Sequence, residues 1–375
     1  MHTSFDINSS TGRYPVHIAP ALLDRTIAQA GERIFVVDAF LADQFHDAGL
    51  EPLVIAADEH AKSLHRMTDV IVGLRDRRAT RATELIAVGG GVVQDVAAFA
   101  ASVYMRGIAW TYVPTTLLSM TDSCIGGKSS INVGKYKNIV GTFHPPKAVL
   151  VDPALTRTLS DEQRAAGLCE AVKIALCRGG DSLSTYLALG ASPQAGEDVL
   201  AHVIDHSLRA KKWFVETDEF DQAERLLLNF GHTFGHAIEA ACDFAITHGI
   251  AVGLGMLAAL ELGEAMGRDY RAVPDMSAFR RHLEQLIAAS PGVPSALAGL
   301  SLPALMDAFG SDKKHGRDRF AVITVANDGS VQREFLARDA ASAALVERAY
   351  ATMIAGQLGD GRAPTHGLAS AVSCG

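Results

Sequence analysis

The chain has 375 residues, of which 48% are hydrophobic and 20% charged, with a formal net charge of −8; this excludes a disordered or fibrous protein and provides apolar material for two cores rather than one. The negative balance excludes a surface built throughout for nucleic acid, while leaving room for a concentrated anion pocket. Five cysteines, Cys124, Cys169, Cys177, Cys242 and Cys374, form no C-x-x-C pair, and without a secretory leader in the first residues they predict a cytoplasmic protein with no disulfide framework.

The first part of the chain alternates apolar runs with helical stretches: RIFVVDA (33–39), EPLVIAA (51–57), a polar helix through Arg78, TELIAVGGG (83–91), IAWTYVPTT (108–116) and KAVLVDP (147–153). Continuous Val/Ile-rich runs separated by helices predict a parallel sheet covered on both faces. After Pro153 the strand pattern fades, and 159–290 reads as successive helices before a strand returns at RFAVITVA (319–326). The most apolar long stretch, 250–263, is interrupted by glycines and a glutamate and falls short of the ~20 residues of a membrane span, so it is expected to be a buried helix. The expected organisation is an α/β domain over 1–155, a helical domain over 156–355, and a Gly/Ala/Ser-rich flexible tail over 356–375, with the site in a cleft between the two domains.

Four segments carry candidate chemistry. Gly89, Gly90 and Gly91 close a strand and open a helix, where backbone N–H groups can approach a pyrophosphate; a tight turn without a ligand is the alternative. Asp38, ending the strand RIFVV, is placed either to hold a ribose hydroxyl or simply to cap a helix. In 114–138, Asp122, Gly126, Gly127, Lys128, Lys137 and Asn138 gather cations and close backbone donors suited to a phosphate, with ordinary surface lysines as the alternative.

The segment RLLLNFGHTFGH is the most informative. Arg225, Asn229, His232 and His236 are spaced by four, three and four residues, which predicts one polar stripe on a single buried helix. Gly231 and Gly235 cost such a helix about 1 kcal/mol each and point to a close neighbour. His248 follows in THG, and Glu170 and Lys173 lie one turn apart in CEAVK. Two imidazoles and a carboxylate suit a catalytic zinc, while a plain Glu–Lys helix pair is the simpler reading of the latter two.

As an ordered set, GGGVVQD, YMRG, PTTLLSMTDSCIGGKSSIN, GKYKNIVGTFHPP, EAVK, ERLLLNFGHTFGH, THG and SDKK resemble the 3-dehydroquinate synthase family of sugar phosphate cyclases, over roughly residues 33–319. The resemblance implies a Rossmann-like NAD-binding domain, a helical metal-binding domain and a homodimer, with NAD and zinc, or cobalt, as cofactors. The implied metal ligands are Glu170, His232 and His248. The implied phosphate pocket draws on Lys128, Asn138, His236 and Lys314, the second lysine of SDKK, with Arg106 reaching across from the partner subunit.

Asp122, Lys137 and Lys173 are implied at the ring hydroxyls and the nicotinamide side, and Lys211, Arg225 and Asn229 at a substrate carboxylate. The implied NAD contacts are Asp38, Glu59, Lys62, Gly89 to Gly91, Asp95, Thr115 and Thr116. The implied reaction takes 3-deoxy-D-arabino-heptulosonate 7-phosphate to 3-dehydroquinate and phosphate, through transient oxidation by NAD, elimination of phosphate, re-reduction and an intramolecular aldol closure. Nucleic acid and membrane partners are not expected.

The chain departs from the family pattern at Gln94, where glycine is usual, at Ile250, where a glutamate is usual, and at Cys124, often serine. These changes suit a divergent branch, for which sedoheptulose 7-phosphate, glucose 6-phosphate or an amino analogue is the alternative substrate. A metal-dependent polyol dehydrogenase would share the two-domain plan but would not need the dense phosphate pocket.

Overall fold

The computed structural model describes residues 1–29, 31–134 and 136–359. The chain forms two compact units, one spanning Met1–Leu228 and the other beginning at Asn229.

Among its described residues the first unit has nine strands. Seven of them, β1 (Thr3–Ser9), β2 (Gly12–Ile18), β3 (Arg33–Asp38), β4 (Leu53–Ile55), β5 (Glu84–Gly89), β6 (Trp110–Pro114) and β9 (Ala148–Val151), form one sheet in the order β1-β2-β9-β6-β5-β3-β4. β1 and β2 pair antiparallel, and every other pairing in the sheet is parallel. The Val/Ile-rich runs become β3, β5 and β6 because both faces are covered: Val36, Val37, Ile86, Val88 and Val113 are buried, around a core that also takes in Leu23, Phe35 and Phe45. From β3 the chain runs outward to β4 and then returns to place β5 on the other side of β3. The order therefore reverses beside β3, and the crevice at the carboxyl ends of β3 and β5 is where open parallel sheets bind ligands.

Two stretches to which the sequence assigns no element contain strands. The segment 131–140 forms a two-stranded ribbon of β7 (Ile131–Val133) and β8 (Tyr136–Val140), and the N-terminal residues form the β1–β2 hairpin. The helices Asp161–Arg178 and Glu197–Thr217 complete the unit. The former begins with a capping box in which Ser160 and Gln163 bond reciprocally, satisfying two of the otherwise orphaned donors of its first turn.

In the second unit the helices His232–Ala241 and His248–Ala265 pack together, with further helices at Met276–Ala288, Leu302–Gly310 and Ala340–Leu358. The returning strand expected near 319 is β10 (Arg319–Val325), paired antiparallel with β11 (Val331–Ala337). Phe234, Phe309 and Tyr350 form the aromatic centre of the unit, with ring centroids 5.3 and 5.4 Å from Phe234. No helix among the described residues is long and apolar enough to cross a membrane; the apolar 250–263 stretch lies in a buried helix, as expected. Of the expected tail, 356–358 belong to the closing helix, and 360–375 lie outside the described residues.

Candidate active site

One expectation fails on geometry. Arg225, Asn229, His232 and His236 do not share one helix: Glu224–Asn229 is a short 3₁₀ segment, Gly231 turns into the left-handed region at φ 79°, and a new α-helix starts at His232. The reason is packing. A Cβ on Gly231 would meet the Val252 carbonyl oxygen at 2.7 Å, and one on Gly255 would meet the Gly231 oxygen at 2.0 Å. The backbone of the His232 helix thus lies directly on that of the His248 helix, and the turn at Gly231 brings its first residue up to that contact.

That approach gathers three imidazoles. His232, His236 and His248 each offer a ligand nitrogen, and these nitrogens lie within 4.8 Å of one another. His236 was expected at phosphate; here it also stands in the histidine cluster. Its pKa is pushed down to about 4, by packing of the ring among neighbours first and then by Lys314 and His248, so the ring is neutral at pH 7 although the residue remains exposed. Behind His248, both Glu239 carboxylate oxygens lie 3.3 Å from Nδ1. A carboxylate on the far nitrogen orients a ligand imidazole and raises its basicity. Glu239 therefore supplies at His248 the carboxylate whose loss Ile250 suggested; it stands three residues after His236, on the same helix. Lys314, in the same unit, is turned toward Asp312 at 3.3 Å.

In the first unit, Asp122 lies on a π-helical turn, Ser119–Ser123, a rare conformation often found at functional sites. Its carboxylate bonds Lys211 through Oδ1 and lies 3.4 Å from Lys173 through Oδ2, while Lys211 also donates to the Asp122 carbonyl oxygen at 2.6 Å. Lys173 in turn pairs with Glu170, both 1% exposed. Burial works against ionisation of Asp122, but Lys211 and then Lys173 outweigh it and hold its pKa well below the usual range. Burial lowers the Lys211 pKa against the pull of Asp122; for Lys173 the opposing Glu170 and Asp122 charges overcome burial and raise it.

Arg225 is 3% exposed and donates to the Glu219 carbonyl oxygen at 2.5 Å. Among the described residues no carboxylate lies within ion-pair distance of it. Its guanidinium lies close against Gly126, where an added Cβ would sit 2.2 Å from Nη2. Two residues on, Lys128 pairs with Asp221 at 2.7 Å, and burial together with the Arg225 charge pushes its pKa down to about 8. The Gly126 N–H is held by the Tyr14 hydroxyl at 3.1 Å. Neither Asp221 nor Tyr14 carried a signal in the sequence, because each reaches the site through the fold of a distant segment.

At the carboxyl ends of β3 and β5, Asp38 accepts from Phe40 N at 3.0 Å and caps a 3₁₀ turn, while the glycine turn leads into the Gly91–Val103 helix. A Cβ on Gly91 would meet nothing within 4 Å, so the space over the first helical turn is open to a ligand. Thr115 closes onto the Gly89 carbonyl oxygen at 3.0 Å, and the Thr116 hydroxyl lies 2.9 Å from that of Ser119. Lys62 pairs with Asp95 at 2.8 Å and donates to Asn138 at 3.1 Å. Glu59 accepts from Asn132 at 2.8 Å. Lys137 is exposed on β8, and Arg106 is exposed in a left-handed bend with Met105, at φ 67° and 50°.

The chain matches the family models for the N-terminal part of 3-dehydroquinate synthase over residues 52–166 and for its C-terminal part over 167–315. It belongs to the 3-dehydroquinate synthase family. It is 36% identical to the 3-dehydroquinate synthase of Nitrobacter winogradskyi, over 91% of this chain and 94% of that one. It is 35% identical to that of Synechococcus sp., over 81% and 84%. Among solved structures it is similar to a 2-deoxy-scyllo-inosose synthase complexed with carbaglucose-6-phosphate, NAD+ and Co2+, at TM-score 0.80 and 24% identity over 93% and 99% of the two chains. It is also similar to a 2-epi-5-epi-valiolone synthase from Streptomyces hygroscopicus with NAD+ and Zn2+ bound, at TM-score 0.74 and 24% identity over 91% and 96%. An iron-containing alcohol dehydrogenase from Thermococcus thioreducens shares the fold at TM-score 0.58 and 14% identity. The family makes the chain a phosphate-eliminating enzyme of the sugar phosphate cyclase type.

Proposed function

We propose that this family member converts 3-deoxy-D-arabino-heptulosonate 7-phosphate to 3-dehydroquinate and phosphate, with NAD and a divalent metal as resident cofactors. The observation that carries the substrate assignment is Arg225, a buried guanidinium with no carboxylate in ion-pair distance among the described residues. A buried cation without its counterion is costly, and a substrate carboxylate would complete it with bidentate geometry. Sedoheptulose 7-phosphate and glucose 6-phosphate have no such group.

The donors suit the cofactors. His232 and His248, the latter backed by Glu239, fit zinc or cobalt, with Glu170 proposed alongside them. The open space over Gly91 at the switch point suits a pyrophosphate, with Asp38 at the ribose, Thr115 and Thr116 along the turn, and Glu59, Lys62 and Asp95 on the adjoining segment. When bound, NAD would supply a reversible hydride acceptor and the metal would polarise the alcohol being oxidised.

The remaining work falls to the chain's own groups. Arg225, with Lys211 and Asn229, holds the carboxylate and so fixes the orientation of the ring. Asp122, kept ionised by Lys211 and Lys173, accepts a hydrogen bond at its carboxylate from a ring hydroxyl, with Lys137 and Lys173 as the neighbouring donors. Lys128, Asn138, His236 and Lys314 bind the phosphate, the two lysines neutralising charge as it departs, and Arg106 serves the phosphate of a partner subunit in a homodimer. Acidification of the C–H beside the transient ketone lets the phosphate leave, its own oxygen taking the proton.

Substitution Arg225→Ala tests the anchor. The expected result is a loss of affinity for the sugar-acid phosphate of about 2 kcal/mol or more, roughly 30-fold, with NAD+ binding unchanged by calorimetry. Equal substrate affinity in a folded variant would remove the carboxylate role.

A further inference from the structure

Gln94 and Ser123 are joined by two hydrogen bonds running in opposite senses. The Gln94 carboxamide donates from Nε2 to the Ser123 carbonyl oxygen at 2.7 Å, and the Ser123 hydroxyl donates back to Oε1 at 2.6 Å. The residue is 4% exposed, in a helix whose other buried positions, Val93, Val96 and Phe99 among them, are all apolar. An apolar residue would fill that space without needing partners, whereas a buried amide that loses them costs about 1–3 kcal/mol. The amide is therefore specific to what it joins.

What it joins is the two halves of the chemistry in this unit. Gln94 lies in the first turns of the Gly91–Val103 helix, and its backbone N–H closes on the Gly90 carbonyl oxygen at 3.0 Å. Ser123 ends the π-helical turn and directly follows Asp122. On its other side that turn is tied to the Asp161–Arg178 helix, by the Thr121 hydroxyl on the Gly167 oxygen at 3.1 Å, and to the Glu197–Thr217 helix, by Ser207 on the Thr121 oxygen at 2.8 Å. The next helical residue, Asp95, reaches instead to Lys62 and to the Ser130 N–H. Gln94 thus links the helix that opens on the glycine turn to the turn that presents Asp122.

We propose that Gln94 is a positioning residue that fixes the Asp122 turn against the glycine turn, and so aligns the hydroxyl held at Asp122 with a dinucleotide held at Gly89–Gly91. The inference rests on the function proposed above. A displacement of about 1 Å in such an alignment can cost about 10²-fold in rate without weakening either ligand, which separates this role from a purely structural one.

The test uses the full chain with NAD+ and zinc, comparing wild type, Gln94→Ala, Ser123→Ala and the double variant. Phosphate release gives kcat and KM, calorimetry gives the Kd for NAD+, and amide exchange is followed over 119–124 with and without NAD+. For Gln94→Ala, kcat is expected to fall about 10- to 100-fold with the NAD+ Kd within about threefold. Ser123→Ala keeps the Nε2 bond and is the milder variant, expected to fall less, and the double variant is expected to be no worse than Gln94→Ala, as for two members of one interaction. NAD+ is expected to slow exchange over 119–124 in wild type but not in Gln94→Ala.

Unchanged kcat in a folded Gln94→Ala or Ser123→Ala, additive losses in the double variant, or equal protection by NAD+ in wild type and variant would overturn the proposal. Wild type that binds NAD+ yet fails to turn over the sugar-acid phosphate would overturn the substrate assignment alone, with the exchange comparison still deciding on Gln94. Wild type that binds no NAD+ would overturn both.

Discussion

At the scale of single residues, the site is a set of charges whose states are fixed by burial and by one another. Asp122 stays ionised because two lysines flank it, and Lys128 sits near its titration point because burial and Arg225 both oppose its charge. With a pKa of about 8, Lys128 is mostly protonated at pH 7 and loses its charge as pH rises through 8. If it binds phosphate, kcat/KM, which reports on the free enzyme, should fall above about pH 8, and Lys128→Arg should move that limb upward because arginine stays charged. A pH profile of both proteins checks this; an alkaline limb at the same position in both would assign it to another group.

Much at this scale was legible in sequence. Asp122, Lys128, Arg225 and the histidines stand in recognisable segments, and the structure shows which neighbours hold each of them. Asp221, Tyr14 and the Gln94–Ser123 pair were not legible, because their meeting depends on chain segments brought together only by folding. Gln94 was visible as a departure beside the glycine turn, but the partner to which its side chain is directed, Ser123, was not.

At the scale of elements, the continuous apolar runs gave β3, β5 and β6 because these strands are buried along nearly their whole length, and KAVLVDP gave β9, whose residues alternate between half-buried and buried. The ribbon β7–β8 escaped detection because its strands are only three and five residues long and β8 is largely exposed, so it lacks the pattern that burial imposes. The 225–236 segment misled for the opposite reason: its spacing fits a helix, but a left-handed glycine breaks it. The two glycines did report a close neighbour, which is the His248 helix. Since a Cβ on Gly255 would lie 2.0 Å from the Gly231 oxygen and 2.6 Å from the Gly235 nitrogen, Gly255→Ala must separate the two helices. The expected cost is about 1–3 kcal/mol of stability from overpacking, with weaker zinc retention as the histidines move apart. Thermal denaturation with metal titration checks it, and wild-type stability together with wild-type zinc affinity would show that the helices can separate freely.

At the scale of the whole molecule, the chain is a parallel-sheet unit carrying a glycine turn, an ionised aspartate and a buried guanidinium, together with a helical unit carrying three histidines. A polyol dehydrogenase built on the same fold would release NADH, whereas a cyclase must return the hydride before product leaves, so NAD is regenerated within each turnover. If Arg225 holds a substrate carboxylate, as proposed, it adds a second discrimination, between sugar acids and neutral sugars. Both can be read in a single assay.

The most direct measurement is phosphate release by the purified, zinc-loaded protein with catalytic NAD+, comparing 3-deoxy-D-arabino-heptulosonate 7-phosphate with sedoheptulose 7-phosphate while absorbance at the NADH band is followed. Release from the former alone, with no net NADH, is the expected result. Preference for sedoheptulose 7-phosphate, or accumulation of NADH in step with substrate consumed, would contradict it.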